Sequence, residues 1–109
     1  MTARTTTPFQ QRVYDAILCV PAGRVTTYGL LARYLGCRSA QAVGQALRRN
    51  PFAPGVPCHR VIAADLRIGG FSGARDGPRI RRKLQLLAEE GVTFDDQRRL
   101  ADGRRVFRF

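Results

Sequence analysis

The chain has 109 residues, 44% of them hydrophobic, and carries 19 Lys plus Arg against 8 Asp plus Glu, a formal net charge of +11. Domains run ~50 to 200 residues, so this length excludes a second independent core, and the apolar share excludes wholesale disorder. The longest apolar run, Ala16 to Val20, falls far short of the ~20 residues of a membrane helix, and Met-Thr-Ala-Arg-Thr-Thr-Thr is no secretory leader, so a cytoplasmic protein without a membrane partner is expected.

Residues 1–8 read as a flexible tail ahead of a single domain over 9–109. Phe9, Val13, Ile17 and Val20, with Ala16 beside them, recur at helical spacing and predict a helix stopped by Pro21; Cys19 closes that pattern as a small core residue. After the turn Ala22-Gly23-Arg24, Thr26 or Thr27 is placed to cap a helix over Tyr28 to Leu35, with Leu31, Tyr34 and Leu35 on one face and Gly36 as its left-handed stop. Ser39 caps the next helix, which runs to Arg49 and ends before Pro51. Its Val43, Ala46 and Leu47 pack inward, while Ala40, Gln41, Gly44, Gln45 and Arg48 look outward. Two helices on a short Gly-containing turn, behind a support helix, make a helix-turn-helix. The small, polar outer face suits a recognition helix approaching a groove wall, and equally a plain surface helix.

Further along, Val61 to Ala64 and Ile68 to Phe71 flank Asp65-Leu66-Arg67 as a short hairpin. Arg75 to Arg82 is a basic loop running into a helix with Pro78 in its first turn and Ile80, Leu84 and Leu87 on one side, ending at Gly91. Val92 to Phe94 and Arg105 to Phe109 alternate enough for a terminal hairpin turning near Ala101-Asp-Gly103. The fold class is therefore mainly α with small β hairpins.

A pI of about 11.3 points to a polyanionic partner, nucleic acid first, with a merely soluble basic surface as the alternative. Only one of the basic residues, Lys83, is a lysine. Cys19, Cys37 and Cys58 are an odd number, which argues against a disulfide framework, and a single histidine without a Cys-x-x-Cys pair argues against a structural zinc site. Nothing near Cys37 activates it. Cys58 is followed at once by the sole histidine, His59, in strongly basic surroundings that favour a thiolate. Histidine can take the thiol proton directly or through a water, and a carboxylate can orient it. Pro57 reads as a stiff strand entrance that holds a nucleophile still, and Arg60 as a structural tie from that strand to a neighbouring carbonyl or carboxylate. An inert, half-buried cysteine is the alternative, since strand neighbours point to opposite faces.

Val56-Pro-Cys-His-Arg-Val-Ile62 resembles the active-site signature of the O6-alkylguanine-DNA alkyltransferases, the methylated-DNA-protein-cysteine methyltransferases. Four further blocks follow that family in order and approximate spacing: Gly23-Arg-Val-Thr-Thr-Tyr28-Gly, Ala42-Val43-Gly44-x-Ala46-Leu47-x-x-Asn50-Pro51, Gly70-Phe71-Ser72-Gly73, and Lys83-Leu-x-Leu-Leu87-x-x-Glu90-Gly91. The resemblance implies a winged-helix-like helix-turn-helix domain that binds double-stranded DNA containing O6-alkylguanine through the minor groove and flips the damaged base into a pocket. It assigns Cys58 as alkyl acceptor, His59 and Glu90 as the proton relay, Tyr28 as helper in flipping and in protonating the leaving guanine, and Asn50 as a brace for the cysteine turn. DNA contacts fall to Tyr28, Ser39, Ala40, Gln41, Ala42, Gly44, Gln45 and Arg48. Val61, Phe71 and Ser72, with the backbone carbonyls of Cys58 and Val61, line the guanine pocket. No cofactor and no metal are implied, and a monomer associated with the nucleoid is expected.

Three features depart from the family. Only the C-terminal, DNA-binding and catalytic domain is present; Gln41 stands where the family has a finger arginine; and the segment between Ser72 and Lys83 is longer and rich in arginine. Glutamine lacks the planar cation that makes arginine a good plug for the base stack. Single-domain length and the longer loop resemble the alkyltransferase-like proteins, which bind O6-alkylguanine without repairing it and hand it to nucleotide excision repair proteins. Those proteins replace the acceptor cysteine, which this chain keeps. Two readings stay open, a single-turnover alkyltransferase and a lesion sensor with excision-repair partners.

Overall fold

The computed structural model describes residues 7–49, 55–70 and 77–109. Helix α1, Pro8–Ile17, starts on a capping box: the Thr7 hydroxyl accepts from the Gln10 amide at 3.0 Å while the Gln10 side chain accepts from the Thr7 amide at 3.1 Å. Thr7 and Pro8 thus belong to the helix, not to a loose tail. The apolar stripe is as expected, with Val13, Ile17 and Val20 fully buried. The helix ends at Ile17, well before Pro21, because the chain tightens into turns from the Cys19 amide to the Ala16 carbonyl and from Val20 to Ile17. That tightening breaks the helical phase. It swings Val20 inward and leaves Cys19 exposed, correcting its assignment to the core.

Strand β1, Thr26–Thr27, runs into α2, Tyr28–Tyr34, whose first turn is capped by the Thr27 hydroxyl accepting from the Leu30 amide at 3.1 Å. Gly36, at φ +70°, turns the chain toward α3, Ala40–Arg48, which Ser39 caps through the Ala42 amide at 3.1 Å. Packing α1, α2 and α3 together buries Val13, Ile17, Leu31, Val43 and Ala46 with Val56 and Val61. The Tyr14 hydroxyl crosses this core to donate to the Ala46 carbonyl at 2.8 Å, fixing α3 against α1. Tyr34 is 56% exposed, against expectation. It stacks on Phe109, ring centroids 4.4 Å apart, because the C-terminal segment delivers that ring to the flank of α2.

Residues Cys58–Arg60 form a 3-10 turn, followed by strand β2, Val61–Ile62. β2 pairs in parallel with β1, Thr26 against Val61 and Thr27 against Ile62, so its partner lies far back in the chain rather than across a hairpin. The expected hairpin survives only as a tight turn, with the Ala63 amide donating to the Arg67 carbonyl at 3.0 Å and Ile68 bonding onward to Arg98. Helix α4, Pro78–Glu89, opens with proline in its first turn and closes on Gly91 at φ +85°. Its buried face packs Ile80 and Leu87 with Val25, Ile62, Ile68, Val92 and Leu100 into a second apolar cluster.

The terminal hairpin turns at Asp95 to Arg98, not near Ala101-Asp-Gly103: Phe94 bridges Leu100 antiparallel, and the Asp95 carboxylate accepts from the Gln97 and Arg99 amides at 2.9 and 3.0 Å. Asx chemistry at Asp95 wins over the Asp-Gly pair, whose Gly103 begins a 3-10 turn. Val106 then lies parallel to Val25, extending the edge of β1.

Candidate active site

The 3-10 turn decides how the Cys58 site is presented. In a strand, adjacent side chains point to opposite faces, whereas three residues per turn spread them roughly 120° apart. Pro57 therefore stiffens a turn, not a strand entrance, and the turn sends Cys58, His59 and Arg60 three ways: Cys58 is half-buried, His59 buried, and Arg60 half-buried. The Cys58 amide donates to the Val56 carbonyl at 2.8 Å and the Arg60 amide to Pro57 at 3.0 Å, so backbone bonds on both sides hold Cys58.

Glu90, at the end of α4, gathers the neighbouring groups. Its carboxylate accepts from His59 Nε2 at 2.9 Å, from Arg60 Nε and Nη2 at 2.9 and 2.8 Å, and from the Gly23 amide at 3.3 Å. Burial alone would raise the Glu90 pKa; the bonds from Arg60, His59 and Gly23 outweigh it and hold the carboxyl down at about 2. An ionised carboxylate only accepts, so His59 Nε2 carries the proton and, in the neutral ring, Nδ1 is left as the accepting nitrogen. Arg60 ties the turn both to this carboxylate and to a carbonyl, its Nη1 donating to Val20 at 2.9 Å. Gly23 is held from its other side by Arg105, whose Nη1 donates to the Gly23 carbonyl at 3.1 Å. At φ +86°, a side chain at residue 23 would be strained, and its Cβ, 3.3 Å from both the Glu90 carbonyl and Arg105, would press on both.

Tyr28 opens α2 and donates through its hydroxyl to the Gly70 carbonyl at 3.3 Å. Burial, and then the charge of a Cys58 thiolate, push its pKa up to about 12, so it stays a protonated donor. Val61 is buried, and both carbonyls expected to face a guanine already accept one bond, that of Cys58 from the Val61 amide and that of Val61 from Lys83 Nζ at 2.8 Å. Each keeps a second lone pair. Asn50, Phe71 and Ser72 lie outside the described residues. A surface hollow of about 330 Å³ beside Thr27, Leu30, Arg33 and Arg108 does not include Cys58. Its two arginines suit an anion.

On α3, Ser39, Ala40, Gln41, Gln45 and Arg48 are exposed and Ala42 and Gly44 half-buried, so the outer face is as the sequence predicts. A Cβ on Gly44 would meet nothing within 4 Å. The packing of this chain therefore does not require glycine there, and the small surface it leaves faces outward.

Sequence reasoning missed Tyr14, Gly23, Lys83 and Arg105 as parts of this arrangement. Lys83 had a legible signal: with Ile80, Leu84 and Leu87 it occupies the i, i+3, i+4, i+7 stripe of α4, and it is 0% exposed. Gly23 opens one of the family blocks and a turn, but its contact with Arg105 had no signal, because the two meet only when the C-terminal segment docks beside β1.

The family described as 6-O-methylguanine DNA methyltransferase, DNA binding domain, matches residues 8–92. The methylated-DNA–protein-cysteine methyltransferase of Mycobacterium leprae is 46% identical over 85 residues, 77% of this chain and 48% of that protein. The DNA base-flipping protein of Thermus thermophilus is 49% identical over 85 residues, 78% of this chain and 54% of that protein. The chain thus spans about half the length of these curated relatives. Atl1 of S. pombe, solved in complex with damaged DNA containing O6-carboxymethylguanine, superposes with a TM-score of 0.77 at 30% identity, over 97% of this chain and 100% of Atl1. With the family matched over most of its length and the fold shared with Atl1 from end to end, the chain belongs to the family of the 6-O-methylguanine DNA methyltransferase DNA-binding domain.

Proposed function

We propose that this chain binds double-stranded DNA containing O6-alkylguanine, turns the damaged base out of the stack and transfers its alkyl group to Cys58. The observation that carries this reading is the 2.9 Å bond between His59 Nε2 and Glu90, made directly beside the cysteine on one rigid turn. It fixes the imidazole so that Nδ1 accepts the thiol proton through a bridging water. The sulfur then attacks the alkyl carbon, the S–C bond forms as the C–O6 bond breaks, and the electron pair leaves on the guanine, which takes up a proton with Tyr28 as the nearby donor. The product is a thioether on Cys58, so each molecule acts once. The exposed face of α3 and the net charge of +11 suit the duplex, with Gln41 in the place of the plug that fills the stack.

The second reading, a lesion sensor that passes O6-alkylguanine to nucleotide excision repair proteins, draws on the end-to-end match to Atl1. One experiment separates the two: mass spectrometry of the protein and its Cys58 peptide after incubation with an O6-methylguanine duplex. One methyl group gained on Cys58, and none in Cys58→Ala, is the expected result. Lesion-specific binding without a mass gain would overturn transfer and leave the sensor.

A further inference from the structure

The turn between α1 and β1 grips the polar set of the site at two points. Its Val20 carbonyl accepts from Arg60 Nη1 at 2.9 Å, and its Gly23 amide donates to Glu90 Oε1 at 3.3 Å. The bonds that Glu90 accepts from His59 and Arg60 come from the Cys58 turn itself, so they tie the carboxylate to that turn alone. Gly23 adds a bond from a third segment. At 3.3 Å that bond is long, and a glycine at φ +86° has little backbone preference of its own to keep it made. Its persistence depends on what holds Gly23 from outside.

Arg105 is that outside hold. Its Nη1 donates to the Gly23 carbonyl at 3.1 Å, and its Nη2 lies 3.7 Å from where a Cβ on Gly91 would stand. The guanidinium is thus seated between the turn at Gly23 and the turn that closes α4 just after Glu90. The backbone around it is anchored on β1's flank: the Val25 amide donates to the Arg105 carbonyl at 2.9 Å, and the Phe107 amide to the Val25 carbonyl at 2.6 Å. Phe109 then stacks on Tyr34 and fixes the far end of the segment to α2. Next door, Arg104 is 92% exposed and pairs with Asp102 instead. The family match ends at residue 92, so Arg105 stands in a part of the chain that the match does not reach.

We infer that Arg105 is a positioning residue of the Cys58 site: by fixing Gly23 it keeps the Gly23 amide on Glu90, and so keeps Glu90 holding His59 in the tautomer whose Nδ1 accepts a proton. This deepens the proposed function, and it rests on that reading only for the reaction the proton transfer serves. The remaining charged or titratable groups around the site are Tyr14 on α1, Tyr28 on α2, Arg60 on the turn and Lys83 on α4, whose Nζ donates to the carbonyls of Val61, Ile68 and Gly70. A substitution of Arg105 leaves all of them in place.

Because the chain has a single histidine, 15N-histidine labelling gives one ring, and its two nitrogen signals report which of them carries the proton. With the ring neutral, the wild type is expected to be the Nε2–H form, and Arg105→Gln a mixture with at least about a tenth of Nδ1–H. In a Cys19→Ser/Cys37→Ser background, Arg105→Gln is expected to slow the reaction of Cys58 with iodoacetamide at neutral pH by about threefold and to move the midpoint of its rate–pH profile up by about half a unit. Arg104→Gln removes the same charge one residue away and should leave both readings unchanged; equal changes there would assign the effect to net charge and overturn the inference. A less stable Arg105→Gln with the tautomer and the profile of the wild type would also overturn it, since Arg105 would then only secure the C-terminal segment. Should that variant not fold, Arg105→Lys decides by the same readings, because the shorter lysine gives up the Gly23 carbonyl. All of these readings are made without DNA. If they come out as expected while the O6-methylguanine duplex leaves no methyl group on Cys58, the proposed function fails and the role of Arg105 stands; transfer with unchanged readings gives the reverse.

Discussion

The cluster under the three N-terminal helices and the cluster under α4 bury their chain with different materials. In the first, aliphatic side chains on three helical stripes meet one another, and the buried hydroxyl of Tyr14 crosses the core. In the second, the aliphatic set is joined by a buried ammonium on three carbonyls and bordered by a carboxylate holding a histidine, an arginine and a backbone amide. Apolar packing is non-directional and tolerates adjustment, whereas a hydrogen-bonded charge pins atoms to a few tenths of an ångström and is costly when left unpaired. Cys58 sits where the two meet, on a turn whose Val56 and Val61 enter the first cluster and whose His59 and Arg60 reach into the polar set. The helical half gives the turn a firm seat, and the polar half aims it.

The widest test of this division is Leu31→Ala, which removes a fully buried side chain from the helical cluster and should cost about 3 kcal/mol in chemical denaturation. The pH profile of Cys58 toward a small electrophile should stay where it is; a shifted profile would mean that the halves are not separable. Glu90→Gln should cost less, about 2 kcal/mol, because the Glu90 and Arg60 side chains keep 16% and 17% of their exposure, yet it should cripple Cys58 reactivity. It also carries a pH signature. Glu90 titrates at about 2 in the folded chain against an ordinary 4.5, so it contributes stability that is present above about 4.5 and lost as pH falls toward 2. Thermal melts of the wild type across that window should fall more steeply than those of Glu90→Gln, and parallel curves would remove Glu90 from the stability of this half.

Tyr14→Phe deletes a buried polar tie of the helical core and leaves the Ala46 carbonyl without that donor, for about 1 kcal/mol in urea unfolding. A loss several times larger would show that this core, too, depends on a pinned polar atom. The smallest change runs the other way. Gly44→Ala adds a methyl group to empty space inside a helix and should stabilise by about 0.5 to 1 kcal/mol, seen as a melting point a few degrees higher. The same substitution should weaken binding to a lesion-containing duplex in a gel-shift titration, since the methyl occupies the face proposed to meet the groove. Unchanged affinity would move the contact off this part of α3.

Much of the helical half was legible because its determinants are local. The spacing of Phe9, Val13 and Ile17, the caps at Thr27 and Ser39 and the left-handed Gly36 act within a turn or two of chain, and each has the predicted effect. Errors came where a distant segment intervened, as when Tyr34 stacked on Phe109 at the surface or when β1 claimed Val61 and Ile62 from the expected hairpin. The site divides in the same way. Cys58, His59, Tyr28 and Glu90 were named from motifs, while the turn that separates Cys58 from His59 was mistaken for a strand, because an apolar Val-Ile pair after it reads as extended in any register.

By itself, then, the sequence determined the three N-terminal helices, the caps of the second and third, most of their inward faces, and the adjacency of Cys58 to the sole histidine, since periodicity and covalent neighbourhood need no partner from elsewhere. Only the tertiary structure decided that Glu90 would meet His59 from 31 residues away, that Arg105 would brace Gly23 across 82, and that the one lysine would lie against three carbonyls behind Cys58. Bonds of that kind depend on directions and distances in space, and these exist only once the apolar clusters have brought the segments together.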